Sequence, residues 1–80
     1  MPTVFRSNGY SFYFFSHEPN EPPHVHVDRG DGSAKVRFEN VAFARDSGFK
    51  AKELSQILTL VRENRTMLLE AWHGYFGTNR

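Results

Sequence analysis

The chain has 80 residues, no cysteine and a formal net charge of +1. This length predicts one domain over residues 1–80, and the lack of cysteine excludes a disulfide framework and a thiolate zinc site. The small net charge gives no indication of nucleic-acid or membrane binding by itself.

The sequence shows neither a charged leader followed by an apolar segment nor a long apolar run. We therefore predict a soluble cytoplasmic protein with no membrane contact. Eight phenylalanines, three tyrosines and one tryptophan are many for so short a chain. They predict a core built from aromatic rings and leave open an aromatic interface in a homodimer.

The first predicted elements form a hairpin. A β-prone run is followed by Asn8-Gly9, which favours a two-residue hairpin loop because both residues tolerate positive φ. Such a loop fixes three facing pairs: Ser7–Tyr10, Phe5–Phe12 and Val4–Tyr13. The second strand, residues 10–16, is aromatic on both faces. This pattern predicts a central strand covered on both sides, or a strand that contributes to a subunit interface.

A stretch that reads Glu-Pro-Pro-His-Val-His-Val-Asp occupies residues 21–28. Its two prolines fix φ and hold the preceding backbone extended, so a strand is expected to begin at about His24. Side chains alternate along a strand, which places His24, His26 and Asp28 on one face and the two valines on the other. We predict that the valines enter the core and that the imidazoles lie on an open face beside a carboxylate.

A second hairpin is predicted at residues 29–32, and its register stays open. A Gly30-Asp31 loop pairs His26 with Lys35 and His24 with Arg37. An Asp31-Gly32 loop instead pairs Asp28 with Lys35, His26 with Arg37 and His24 with Glu39. Both registers send Ala34, Val36 and Phe38 into the core and build the same polar face. That face consists of His24, His26, Asp28, Lys35, Arg37 and Glu39.

The rest of the chain predicts a short fifth strand at residues 41–44, a break at residues 46–48 and helical spacing from about Ala51 to a stop at Gly77. Asn64-Arg65 interrupts the apolar stripe, so either two helices or one continuous helix fits. The predicted fold is α+β: a four- or five-stranded antiparallel meander with a C-terminal helix, with or without a break near Asn64, packed on its apolar face.

Several segments together resemble one family of small prokaryotic proteins of unknown function. They are Met1-Pro2-Thr3-Val4, the aromatic second strand, Glu21-Pro22-Pro23-His24-Val25-His26-Val27, the Gly-Asp-Gly turn and Leu68-Leu69-Glu70-Ala71-Trp72. The resemblance implies a gene beside that of another small protein, in an arrangement like a toxin–antitoxin pair. It marks Glu21, both prolines and both histidines as signature positions without a catalytic role. Members commonly carry Ser or Asn at the position of Lys50, so two N-caps are open for the helix here, Lys50 and Ser47.

One interpretation of the histidine strand is a ribonuclease-like site. Two histidines at positions i and i+2 stand about 6–7 Å apart along a strand, which suits a base and an acid acting on opposite sides of a phosphorus atom. The predicted catalytic residues are His24 and His26, with Glu21 orienting one ring. Lys35 and Arg37 are the predicted substrate-binding residues, because cations stabilise charge that builds up during phosphoryl transfer.

A second interpretation is a divalent metal site, in which His24 and His26 bind zinc, nickel or iron through their ring nitrogens. A third ligand is then required from the remaining candidates: His17, Glu18, Glu21 or Glu39. A third interpretation gives the histidines no chemistry and places them on an exposed or interface strand. No resident cofactor and no metal ligand is assigned.

We predict a toxin-like member of a two-gene pair that binds RNA and could cleave it. Its expected partners are the cognate small protein encoded nearby and RNA. The alternative is a non-catalytic module that contacts a protein or holds a metal through its histidines.

Overall fold

A computed structural model of the chain describes residues 3–14 and 21–76. Five strands and two helices lie within these ranges: β1 (Thr3–Ser7), β2 (Tyr10–Tyr13), β3 (His24–Arg29), β4 (Gly32–Arg37), β5 (Ala42–Ser47), α1 (Ala51–Glu63) and α2 (Arg65–Phe76). The strands form one sheet in the order β1-β2-β3-β4-β5, and every neighbouring pair is antiparallel. The predicted α+β meander is therefore confirmed, with five strands.

The first hairpin has the predicted loop, and Asn8 and Gly9 have φ of 54° and 84°. Ser7 pairs with Tyr10, and Phe5 pairs with Phe12. The predicted Val4–Tyr13 pair is wrong, because the register shifts between Thr3 and Phe5 and Tyr13 pairs with Thr3. Such a bulge places one extra residue in one strand.

The aromatic second strand is central, as predicted, because β2 lies between β1 and β3. It ends at Tyr13, earlier than expected, although Phe14 is also fully buried. Tyr10, Phe12 and Phe14 are covered within the chain itself. The predicted strand residues 15–16 lie outside the described ranges.

The second hairpin adopts one of the two open registers, with Gly30 and Asp31 as its loop. His24 pairs with Arg37, His26 pairs with Lys35, and Asp28 pairs with Ser33. The alternation predicted the core face of this hairpin correctly. Its four inward positions are fully buried: Val25, Val27, Ala34 and Val36.

The fifth strand is longer than predicted and lies at the edge of the sheet. It continues through Asp46 and Ser47, the first two residues of the predicted break, and ends before the third, Gly48, which has φ of 80°. Lys35 pairs with Arg45, and a bulge then changes the register so that Val36 pairs with Phe43. The bulge lets Phe43 pack against the core while Arg45 lies on the opposite face.

Two helices, rather than one, follow the sheet. The backbone N–H of Asn64 donates to the carbonyls of Leu60 and Val61, and its side chain donates to Leu60 at 2.8 Å. Asn64 thereby closes α1, and its own carbonyl accepts from Leu68 in α2. The predicted stop at Gly77 lies outside the described residues.

Of the two open positions for the N-cap of α1, the structure has Lys50 and not Ser47. Ser47 still belongs to β5. Glu53 accepts a hydrogen bond of 2.8 Å from the backbone N–H of Lys50, and the Lys50 carbonyl accepts from Leu54. The Glu53 carboxylate, at N3, therefore supplies the half of a capping box that satisfies the N–H of the N-cap residue.

The helices pack on the apolar face of the sheet through Ile57, Val61, Leu68 and Trp72. Arg65, at the start of α2, donates from Nε to the carbonyl of Phe38 at 2.7 Å. This bond ties the second helix to the chain just beyond β4. Among residues 3–14 and 21–76, no helix has the length and apolar character needed to cross a membrane.

Candidate functional site

The residues predicted for the site come together at one end of β3 and β4. Cross-strand pairing sets His24 beside Arg37 and His26 beside Lys35. Glu21, just before β3, reaches Lys35, with Oε2 2.5 Å from Nζ. Paired residues of neighbouring strands project to the same side of the sheet, so all four strand residues share one face, and Glu21 contacts it from the edge.

The two histidines do not lie on an open face, and that prediction is wrong. His24 is 1% exposed and His26 is 2% exposed. The ring of Tyr13 stacks on His26 with centroids 5.4 Å apart, and the two imidazoles meet edge to face at 5.1 Å. Trp72, from α2, packs on His24 at 5.0 Å. Alternation along β3 assigned the correct face but gave no information on which residues cover it.

The turn before β3 also holds the ring of His24. Its Nδ1 lies 2.9 Å from the carbonyl oxygen of Pro22, and a carbonyl can only accept, so Nδ1 donates. Phe38 donates its backbone N–H to Pro23 at 3.1 Å, which continues the β3–β4 pairing past the end of the strands. The two prolines thus precede the start of β3, as predicted. The carbonyl of Pro22 also holds the ring of His24.

The cationic side chains differ from the histidines in exposure. Arg37 is exposed, whereas the Lys35 side chain is 17% exposed and engaged by Glu21. Two more arginines, Arg6 and Arg45, belong to the same face and were not among the predicted site residues. Arg6 pairs with Ser11, which pairs with Asp28, and Arg45 pairs with Lys35. Selecting Arg45 requires the register of β5 against β4, and the sequence of β5 does not specify that register.

We call these four side chains the cationic face: Arg6, Lys35, Arg37 and Arg45. Both Arg6 and Arg45 are exposed. The opposite strand positions, such as Phe12 and Val36, belong to the core. The sheet therefore has an apolar side, covered by the helices, and a second side where the three arginines reach solvent and where Trp72 of α2 covers His24 at one end.

One carboxylate lies among these cations. Asp28 Oδ2 accepts a hydrogen bond of 3.0 Å from the Tyr13 hydroxyl. Its Oδ1 is shielded from water and has no hydrogen-bond partner in the described part of the chain. Asp28 also lines a pocket of about 270 Å³, together with Thr3, Ser11 and Tyr13. This pocket adjoins the stacked Tyr13 and His26 rings.

The metal interpretation gains no ligand set from the described residues. No three His, Asp or Glu side chains in residues 3–14 and 21–76 lie close enough together to hold an ion. Two of the predicted third ligands, His17 and Glu18, lie outside the described ranges. Metal binding through His24 and His26 stays a prediction.

Comparison with known proteins places the chain in a family without assigning it an activity. The chain matches a domain of unknown function, DUF4160, over residues 9–73. No curated protein and no solved structure matches it significantly. The matched segment runs from the first hairpin loop into α2 and includes most of the cationic face. Since this match covers most of the sequence, the chain belongs to the family of domains of unknown function DUF4160.

Proposed function

We propose that this protein binds single-stranded RNA through the cationic face and acts as the toxin-like member of a two-gene pair. The observation that carries the proposal is the strand register, which brings Arg6, Lys35, Arg37 and Arg45 to one side of the sheet. Phosphate contacts from Lys and Arg supply most of the affinity of non-specific nucleic-acid binding.

The near-neutral net charge does not oppose this proposal, because the charges are segregated. Among the described strand residues on this side, Asp28 is the single acid. Glu21 forms an ion pair with Lys35, and the three arginines of the face are exposed, so we assign the principal phosphate contacts to the arginines. Other acids lie elsewhere: Asp46 pairs with Ala34 toward the opposite side, and Glu53 belongs to α1.

The histidines have a structural role in this proposal. A general base must come within about 3 Å of the proton that it removes, and both rings are almost fully covered. Tyr13 stacks on the ring of His26, and Trp72 packs on the ring of His24. The catalytic roles of His24, His26 and Glu21 remain a prediction whose premise of an open face is wrong. We therefore propose binding without cleavage by this pair.

The test is a double variant, Arg37→Ala with Arg45→Ala, measured against a labelled single-stranded RNA of about a dozen nucleotides by fluorescence anisotropy. Losing two phosphate contacts is expected to weaken binding by about tenfold or more at low salt. The slope of log K against log salt should become shallower by about 1.4, which is two contacts at about 0.7 each for single strands. The RNA should remain full length on a denaturing gel.

The matched control is Lys52→Ala with Arg62→Ala, which removes the same charge from exposed positions of α1. We expect this variant to keep the affinity and the salt slope of the unmodified protein. Equal weakening by both double variants would show that net charge, and not the cationic face, drives binding. Failure of the unmodified protein to bind RNA at low salt would overturn the proposal.

The proposed partner is the small protein encoded beside this one. The sheet is open, and β5 lies at its edge with residues 44–47 exposed, so a strand of another chain can pair there. Co-expression should yield a stable complex on size exclusion and relieve growth inhibition caused by this chain alone. A neighbour that neither binds this chain nor changes growth would contradict the pairing.

A further inference from the structure

Asp28 is an unusual residue for a surface that binds phosphate. It lies on the cationic side of the sheet, and it pairs with no Lys or Arg among the described residues. One oxygen accepts from Tyr13, and the other has no donor. Leaving a shielded carboxylate oxygen without a donor costs free energy. The pocket that Asp28 lines is the place where a missing donor can enter.

The chemistry of the pocket favours a ligand group with hydrogen-bond donors. A carboxylate repels the phosphate groups that the surrounding arginines attract, so along an RNA strand it should face a base edge. Single-stranded bases are commonly recognised by hydrogen bonds on their Watson–Crick edges. Guanine presents two adjacent donors there, N1–H and the N2 amine, whereas adenine and cytosine each present one amine. The hydroxyls of Ser11 and Thr3 line the same pocket and can donate to guanine O6.

The size and surroundings of the pocket agree with a single base. Its volume of about 270 Å³ lies below the range of about 300–1,000 Å³ typical of sites for drug-sized ligands. With strands about 4.8 Å apart, the Cα atom of Arg6 lies two strands away, at about 10 Å. Lys35 is the diagonal neighbour of Asp28 at about 7–8 Å. Cations thus flank the pocket on both sides, where the phosphates of a bound nucleotide would lie.

We propose that this pocket selects an unpaired guanine, with Asp28 accepting hydrogen bonds from N1–H and the N2 amine. The inference rests on the proposed RNA binding and names the base that it prefers. The terminal torsion of an aspartate is broad, so a modest rotation turns Oδ1 toward the pocket. The Tyr13 hydroxyl donates to the other oxygen, Oδ2, and its O–H can reorient as the carboxylate turns.

The test uses uridine oligonucleotides that carry one central guanine, inosine, adenine or cytosine. Guanine is expected to bind about tenfold more tightly than adenine or cytosine, the scale typical of one good bidentate contact. Inosine lacks the N2 amine and should fall between them. In Asp28→Asn the guanine preference should disappear, because the amide presents only one acceptor oxygen. The control Asp31→Asn removes the same charge from the exposed turn and should keep the preference.

The outcomes separate this inference from the proposed function. Equal binding of all four oligonucleotides would overturn the guanine pocket and leave RNA binding by the cationic face intact. A guanine preference that survives Asp28→Asn would place the recognition elsewhere and overturn the assignment. If no oligonucleotide binds, both proposals fail. Because Asp28→Asn also removes a negative charge, the ratio between guanine and adenine affinities is the quantity to compare.

Discussion

Replacing Trp72 by alanine is expected to lower the free energy of unfolding by about 3–5 kcal/mol, the usual cost of removing a large buried aromatic side chain. The Trp72 side chain is 3% exposed, and its ring packs on Phe14 at 5.3 Å, His24 at 5.0 Å and Phe76 at 4.2 Å. A chain of this length has a total stability of about 4–12 kcal/mol. The loss is therefore a large fraction of the total, and the midpoint of thermal unfolding should fall by about 12–40 °C.

The physical reason is the position of this side chain between elements that are distant in sequence. Trp72 belongs to α2, His24 begins β3, and Phe14 follows β2. Losing the indole removes the cover of His24 and leaves a cavity that the rigid sheet cannot close. Since His24 pairs with Arg37, the loss is also expected to disturb one corner of the cationic face.

Thermal unfolding followed by circular dichroism measures this effect, because the variant no longer contains a tryptophan for fluorescence. The conservative change Trp72→Phe keeps an aromatic ring and should cost clearly less. Met67→Ala is the control on the same helix, where the side chain is 36% exposed, and should stay within about 0.5 kcal/mol of the unmodified protein. A Trp72→Ala midpoint equal to that of Met67→Ala would show that α2 does not hold the sheet.

Much of the sheet could be predicted because its signals are local. Asn8-Gly9 fixed the first loop, and the alternation of valine with histidine in β3 fixed which side chains face the core. The same alternation left two registers open at residues 30–32, since both send the valines inward. In the observed register Gly48 and Phe49 pack against this turn, contacts that no pattern within the hairpin reports.

The site was harder to predict because its cover comes from elsewhere in the chain. The contacts of His24 with Trp72 and of His26 with Tyr13 join separate elements, and no pattern within β3 reports them. The bulges near Val4 and Ala44 likewise have no local signature, yet the second one decides that Arg45 lies beside Lys35. The sequence pattern assigned Asp28 to the correct face. The oxygen without a donor and the pocket depend on how Tyr13 packs beside Asp28, which the pattern does not report.

The second large effect is expected for Gly48→Ala, which should lower the free energy of unfolding by about 2–5 kcal/mol. Gly48 has φ of 80°, where a side chain costs about 1–2 kcal/mol. A Cβ atom there would also lie 2.9 Å from the backbone oxygen of Asp31 and 3.1 Å from the Cα of Gly32. Backbone atoms of a paired hairpin cannot move aside easily, so overpacking adds about 1–3 kcal/mol.

Gly30→Ala provides the matched comparison. Gly30 also has positive φ, 57°, but a Cβ atom there would meet nothing within 4 Å. The two variants therefore share the conformational cost and the entropic effect of replacing glycine in the unfolded chain. Only Gly48→Ala adds the collision with the β3–β4 turn. The free energies of unfolding of the two variants, measured by chemical denaturation, should differ by at least about 1 kcal/mol. Equal free energies of unfolding would contradict the close approach of Gly48 to Asp31 and Gly32.

The same pair of variants separates stability from binding. Arg45 precedes Gly48 by three residues, and its place beside Lys35 is set by the pairing of β5 with β4. If the β4–β5 pairing survives in the folded fraction, Gly48→Ala should bind RNA with unchanged affinity at temperatures well below its unfolding midpoint. If Gly48→Ala instead loses as much RNA affinity as Arg45→Ala does at these temperatures, β5 has lost its register. The cationic face would then depend on the turn that Gly48 supports.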